Sequence, residues 1–217
     1  MPTMCAALAN KPFICRMADW SSRLPARRRL PMDDFQQQCA FRLLTRAVLG
    51  VLRNAQDGEL PLYAWTLGLP QQAVLEVLAT CAPELGSMEA LTDVQYQQLL
   101  SLQPPLHTAL LDMLLANRSA AENAQHSSWL AHVVAVASLG SRHLWEDMGL
   151  SGRHELNQLL QYYLYPLYAR NQADIKWKRF LYAELGEQLG LPQLKPPQCG
   201  RCQEHAACLP TLAEQPT

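Results

Sequence analysis

The sequence predicts an all-α fold, a single helical domain that ends in an irregular, cysteine-rich metal-binding tail. Three observations carry this reading. Apolar residues recur at the spacing of an amphipathic helix in one segment after another. No run shows the two-residue alternation, bounded by hairpin turns, that marks a strand. Helical periodicity then stops at Gly190 and Pro192, and Cys199, Cys202 and Cys208 follow in the spacing C-x2-C-x5-C. With 217 residues, 49% of them apolar and 17% charged, the chain is long enough to bury a core and too apolar to remain unfolded. The expected organisation is a flexible basic leader over residues 1–30, a helical domain over 31–190, and the cysteine tail with a disordered end over 191–217.

The leader has little pattern and ends in Arg23, Arg27, Arg28 and Arg29 among prolines. It lacks the continuous apolar stretch of a secretory signal. Its basic run is a solvated leader or a contact for an anionic partner. Asp33 and Asp34 read as a helix start, and Phe41, Leu44, Val48, Val51 and Leu52 continue the helix to a turn at Asp57-Gly58. Leu60 to Leu69 reads as a short connection. Pro70 fits a first helical position, ahead of Val74, Leu75, Val77 and Leu78. Thr92–Leu102 and Leu106–Asn117 form two further helices split by Pro104-Pro105. Ser127 or Ser128 can cap a strongly apolar helix, from Trp129 through Ala137, that Gly140 ends. Ser151 opens a helix whose stripe is Leu156, Leu159, Leu160, Tyr163 and Leu167, bent late by Pro166. Asp174 caps the final helix. There Trp177, Leu181, Leu185 and Leu189 face the core, while Lys176, Arg179 and Tyr182 share another side.

The chemistry is concentrated in the last fifth of the chain. A C-x2-C turn points two sulfurs at one metal or cluster, and a third thiolate closes the pocket. Clustered cysteines in a chain without a secretory signal point to metal rather than to a disulfide. Cys5, Cys15, Cys39 and Cys81 are scattered and read as reduced thiols. The spacing leaves the metal open. Zinc requires four ligands, which Cys199, Cys202, His205 and Cys208 can supply as a Cys3His set. Three thiolates also suffice for three irons of an iron–sulfur cubane, leaving one corner free to exchange. His143 precedes Glu146 and Asp147 by three and four residues, so on a helical turn a carboxylate can meet its imidazole and set the tautomer, as behind a metal ligand. The same arrangement also serves a purely structural histidine. The basic face of Lys176 and Arg179 is either solvated or holds an anion.

Two blocks, RHLWEDMGL at Arg142–Leu150 and ARNQADIKWKRFLYAEL at Ala169–Leu185, precede KPPQCGRCQEHAAC. In this order, with Trp145 and Trp177 in place, the chain resembles the NifQ family. The likeness is strong over the C-terminal third and elsewhere rests on a loose helical pattern. It implies an iron–sulfur cluster that also carries molybdenum, held by Cys199, Cys202 and Cys208 and taking molybdenum from molybdate. It further implies delivery to the scaffold and assembly proteins of the nitrogenase iron–molybdenum cofactor, in a bacterial cytoplasm. The family pattern is C-x4-C-x2-C-x5-C, and Leu194 stands at its first cysteine; Gly186 stands where relatives often carry a further one. The vacancy falls to another protein group, such as His205 or His143, or to solvent, sulfide or molybdenum, or marks a loss of function.

The resemblance implies a metallochaperone, and the expectation is that it is not an enzyme, because no P-loop, dinucleotide fingerprint or nucleophile–base motif is recognised. Two alternatives are a zinc-stabilised interaction module and an iron–sulfur electron carrier or reductase. A formal net charge of −1 lacks the electrostatic footprint of a nucleic-acid binder. No apolar run reaches the length of a membrane span.

Overall fold

The computed structural model describes residues 34–86, 89–120, 122–197 and 199. The expected leader, together with Cys5, Cys15, Cys202, His205 and Cys208, lies outside the described residues. The chain divides into two compact units, residues 1–39 and 40–217. The first contributes the opening of α1, and all packing described below belongs to the second. The described residues contain helices and no strand, as the periodicity predicts.

Helix α1 spans Asp34–Gln56. Its Leu44, Ala47, Val48, Val51 and Ala55 are buried at helical spacing. The segment read as a plain connection contains a 3-10 helix, Leu62–Thr66, with Tyr63, Ala64 and Thr66 inside the core. Helix α2 covers Gln71–Cys81, and Pro70 sits one place earlier than expected, at its N-cap. Helix α3, Asp93–Ser101, starts with a capping box in which Thr92 and Gln95 satisfy each other's backbone N–H groups. Helix α4 is His107–Ala116.

Helix α5, Ala124–Ala137, is the most completely buried helix of the second unit. Every residue from Trp129 to Ala137 is buried, the signature of a helix covered on all sides. It packs against α4, the 3-10 helix, α6 (Leu144–Asp147) and α7 (Arg153–Tyr163). Each fully buried Val or Leu here contributes about 1.5–3 kcal/mol. Its cap is Asn123, whose Oδ1 accepts from the Gln125 and His126 amides at 2.9 and 3.0 Å. The predicted Ser127 cap is instead buried inside the helix. Asparagine caps as well as serine does, so the helix starts one turn earlier.

Further sequence readings change at the C-terminal end. Pro166 does not bend a continuous helix: α7 stops at Tyr163, and α8, Tyr165–Arg170, starts with the proline in its first turn, where no N–H is required. Gly152, not Ser151, holds the N-cap position of α7, while the Ser151 amide donates to Glu155 at 2.7 Å. Helix α9, Trp177–Leu189, has Lys176 at its N-cap. Asp174 is not a cap. It adopts φ 50 and is held by Arg153, which donates to its carboxylate and carbonyl and to the Ile175 carbonyl. On α9, Trp177, Leu181 and Leu185 are buried as expected, but Leu189 is 43% exposed and Tyr182 is in the core.

Candidate functional site

The block Arg142–Leu150 folds as the short helix α6 and is seated directly on α1. Gly50 of α1 meets Gly149 backbone to backbone: a Cβ on Gly50 would lie 2.7 Å from the Gly149 Cα and closer still to the Met148 carbonyl oxygen. Asn54, one turn further along α1, donates to the Glu146 and Asp147 carbonyls at 3.0 and 2.9 Å. These contacts satisfy the carbonyls that a one-turn helix leaves open.

Asp147 is wholly buried. Its Oδ1 accepts from Arg142 Nε at 3.0 Å, and its Oδ2 from Lys178 Nζ at 2.5 Å. Lys178, itself mostly buried, also donates to the Gly140 carbonyl at 2.8 Å. Gly140 carries no side chain because the Asp147 carboxylate occupies the place of its Cβ. The two sequence blocks that precede the cysteines are therefore joined, with α6 gripping α9 through a charge-assisted pair. Charge patterning along the sequence did not single out Lys178 or Asp147 as partners, because they lie 31 positions apart.

His143 stands at the N-cap of α6, and its backbone N–H donates to Glu146 Oε2 at 2.8 Å. Its ring stacks on Trp145 with centroids 6.3 Å apart. Asp147, one of the two carboxylates expected near this imidazole, is bound by Arg142 and Lys178, and Glu146 Oε2 accepts from the His143 amide. Trp177, the other marker tryptophan, donates to Asn157 Oδ1 at 2.6 Å and stacks on Tyr168. It is a packing residue.

Lys176 is half-buried and Arg179 exposed, one turn apart at the start of α9. Tyr182, predicted beside them, points into the core, so the polar face is shorter than expected. After Leu189 the chain turns through Gly190 in the left-handed conformation. It folds back until Leu194 packs, half-buried, against the core. Leu194 lies between Pro192 and Pro196, and the turn after α9 brings it inward. Cys199 is half-buried, and its amide donates to the Pro196 carbonyl at 3.0 Å. Among the described residues no group of three or more His, Cys, Asp or Glu side chains is arranged to hold a metal ion. The thiols of Cys202 and Cys208 and the His205 imidazole lie outside them. The donor chemistry fits a metal or cluster: three thiols and one imidazole fall between residues 199 and 208, and the first of them sits in a closed turn at the edge of the helical body.

A second polar cluster, not singled out in the sequence, sits inside the core. Tyr63 Oη and His107 Nδ1 are 3.3 Å apart, and His132 Nδ1 is 3.0 Å from the Leu67 carbonyl. Burial, with the nearby His132, pushes the His107 imidazole down to about 4, and burial also lowers His132. Both rings are neutral at physiological pH. Single histidines in apolar segments carry no sequence signal that would pair them.

The fold and site together define a class: an all-α protein in which the last described helix ends in a left-handed turn that leads into a cysteine-bearing C-terminal segment. No helix among the described residues is long and apolar enough to cross a membrane. The NifQ family profile matches residues 47–210. The Azotobacter vinelandii "Protein NifQ" is 32% identical over 166 residues, covering 73% of this chain and 84% of that protein. The Rhodobacter capsulatus "Protein NifQ" is 38% identical over 80 residues, 37% of this chain and 44% of that protein. The Klebsiella pneumoniae "Protein NifQ" is 34% identical over 85 residues, 39% of this chain and 51% of that protein. No solved structure matches. The chain belongs to the NifQ family.

Proposed function

We propose that this protein handles molybdenum for nitrogen fixation as a metallochaperone, not as an enzyme that turns over a substrate. In this reading Cys199, Cys202 and Cys208 hold an iron–sulfur cluster that also carries molybdenum, and the protein passes the molybdenum to the nitrogenase cofactor scaffold. Thiolate ligation supplies exchangeable positions for a soft metal. The observation that carries the reading is the C-x2-C-x5-C segment at the end of a NifQ-family chain. His205 is the nearest further donor for the place that Leu194 leaves without a thiolate. Lys176 and Arg179 bring cationic groups to the N-terminal turn of α9, where the helix dipole also favours an anion such as molybdate.

Protein purified without oxygen from molybdate-supplied cells is expected to be brown and to carry several irons per chain together with molybdenum. Cys202→Ser should bleach it, since the flanking thiolates alone cannot hold the assembly. Colourless protein with stoichiometric zinc would overturn this reading in favour of the interaction module. Iron without molybdenum would favour the electron carrier.

A further inference from the structure

The return of the chain after α9 is built on one bare stretch of backbone. Leu191 N–H donates to the Gly186 carbonyl at 2.7 Å, and Gly190 N–H points to the Glu187 carbonyl at 3.4 Å. Gly190 is in the left-handed conformation, with φ 69. Together these make the six-to-one and five-to-two hydrogen bonds of a Schellman stop. Such a stop ordinarily sets an apolar contact between the residue after the glycine and a side chain in the last turn. Here that last-turn residue is itself a glycine. A Cβ on Gly186 would lie 2.5 Å from the Leu191 carbonyl oxygen and 3.1 Å from the Leu194 Cβ. The chain thus uses the space of the missing side chain twice, first for a carbonyl and then for a leucine.

From this seat the path to the first thiol is short and hydrogen-bonded at each end. The Leu194 amide donates to Leu191 O at 3.0 Å, and the Cys199 amide to Pro196 O at 3.0 Å. Pro192, Pro196 and Pro197 stiffen the segment between α9 and Cys199. Moving Leu194 off α9 would displace the start of the path to Cys199.

We infer that Gly186 and Leu194 are positioning residues for the candidate metal centre: the leucine seated on the bare backbone of α9 sets where the cysteine segment begins. The inference rests on the metal-holding reading of Cys199, Cys202 and Cys208. Its geometric half, the seat, stands without it. A side chain at 186 and the observed return are mutually exclusive, because the closest atom is backbone and cannot rotate away.

The test uses the full chain, reduced and metal-free, with cobalt(II) as the probe. Hydrogen exchange reads the seat, through the Leu191 and Leu194 amides. Thiolate-to-cobalt absorption reads the centre. Gly186→Ala is expected to speed exchange at both amides and to weaken cobalt(II) binding by about tenfold, the usual effect of losing an outer-shell support. Leu194→Ala should do the same more mildly, and Leu194→Met, which keeps an apolar side chain at the seat, should stay near the starting protein. If Gly186→Ala does not fold, Leu194→Ala against Leu194→Met carries the comparison. Unchanged exchange in Gly186→Ala, or in Leu194→Ala, overturns the seat. Faster exchange with unchanged cobalt(II) binding overturns the positioning role and leaves the seat a local packing feature. Starting protein that forms no thiolate–cobalt bands overturns the metal-holding reading, and the positioning role with it, whatever the exchange rates show.

Discussion

Removing the Asp147 carboxylate would leave Arg142 and Lys178 facing a buried space that held one negative charge. Breaking one side of a buried pair commonly costs about 3–5 kcal/mol, and the partial exposure of Arg142 places Asp147→Ala at the lower end, about 3 kcal/mol. Urea unfolding measures this; a loss below about 1 kcal/mol would mean that the pair behaves like a surface contact. His107 gives a second prediction at this scale. Its imidazole titrates at about 4 in the folded chain and near 6.5 in the unfolded one. Between those values the unfolded state binds the extra proton, so stability is complete above pH ~6.5 and declines as pH falls toward ~4, by up to about 3 kcal/mol. His107→Gln should flatten this dependence, and an unchanged slope in the variant would remove His107 as its source. For the basic pair, replacing Lys176 and Arg179 with Gln is expected to lower bound molybdenum more than iron while leaving helicity intact, since Gln is a comparable helix former. Metal analysis of the double variant reads this directly, and equal molybdenum loading would return the pair to an ordinary solvated surface.

At the scale of elements, the seam between α1 and α6 depends on Gly50. Gly50→Ala inserts a methyl group where the Met148 carbonyl and the Gly149 backbone already stand. Overpacking of this kind costs about 1–3 kcal/mol. The melting temperature should fall accordingly, and an unshifted melt would show that the seam can open without loss. The contrast between α1 and α5 explains what the sequence made legible. Leu44, Val48 and Val51 repeat on one face of α1, so its existence and orientation follow from spacing alone. Helix α5 is buried all round from Trp129 onward, and its apolar run announced a core helix but not its starting point, which Asn123 sets one turn before the serines. Pro166 and Asp174 were misread for a related reason. A proline suits both a bend and a first turn, and an aspartate suits both a cap and an arginine partner; the choice depends on neighbours distant in sequence. The cysteine motif was legible because its thiols are local in sequence, whereas the Asp147–Lys178 pair joins two helices and had no local signature. Nothing in the segment around Leu194 shows in the sequence that Gly186 leaves room for it.

Over the whole molecule, the buried apolar residues among those described run from Ala40 to Leu185, ahead of the clustered cysteines in sequence. The triple variant Cys199→Ser, Cys202→Ser, Cys208→Ser is therefore expected to keep its helicity and to melt within about 2 °C of the metal-free chain, a shift worth less than about 1 kcal/mol at this size. Circular dichroism checks it, and loss of helix would mean that the tail organises the body. The bridge between α6 and α9 also sets an order of events during synthesis. Asp147 leaves the ribosome 31 residues ahead of the lysine that completes its pairing, a delay of about 2–6 s at bacterial elongation rates of roughly 5–20 residues per second. Through that interval the Asp147 carboxylate has Arg142 but not Lys178 to pair with, so α6 is expected to dock only loosely until α9 arrives. Since the cysteine segment follows α9 directly, its thiols emerge onto a body that is only then closing.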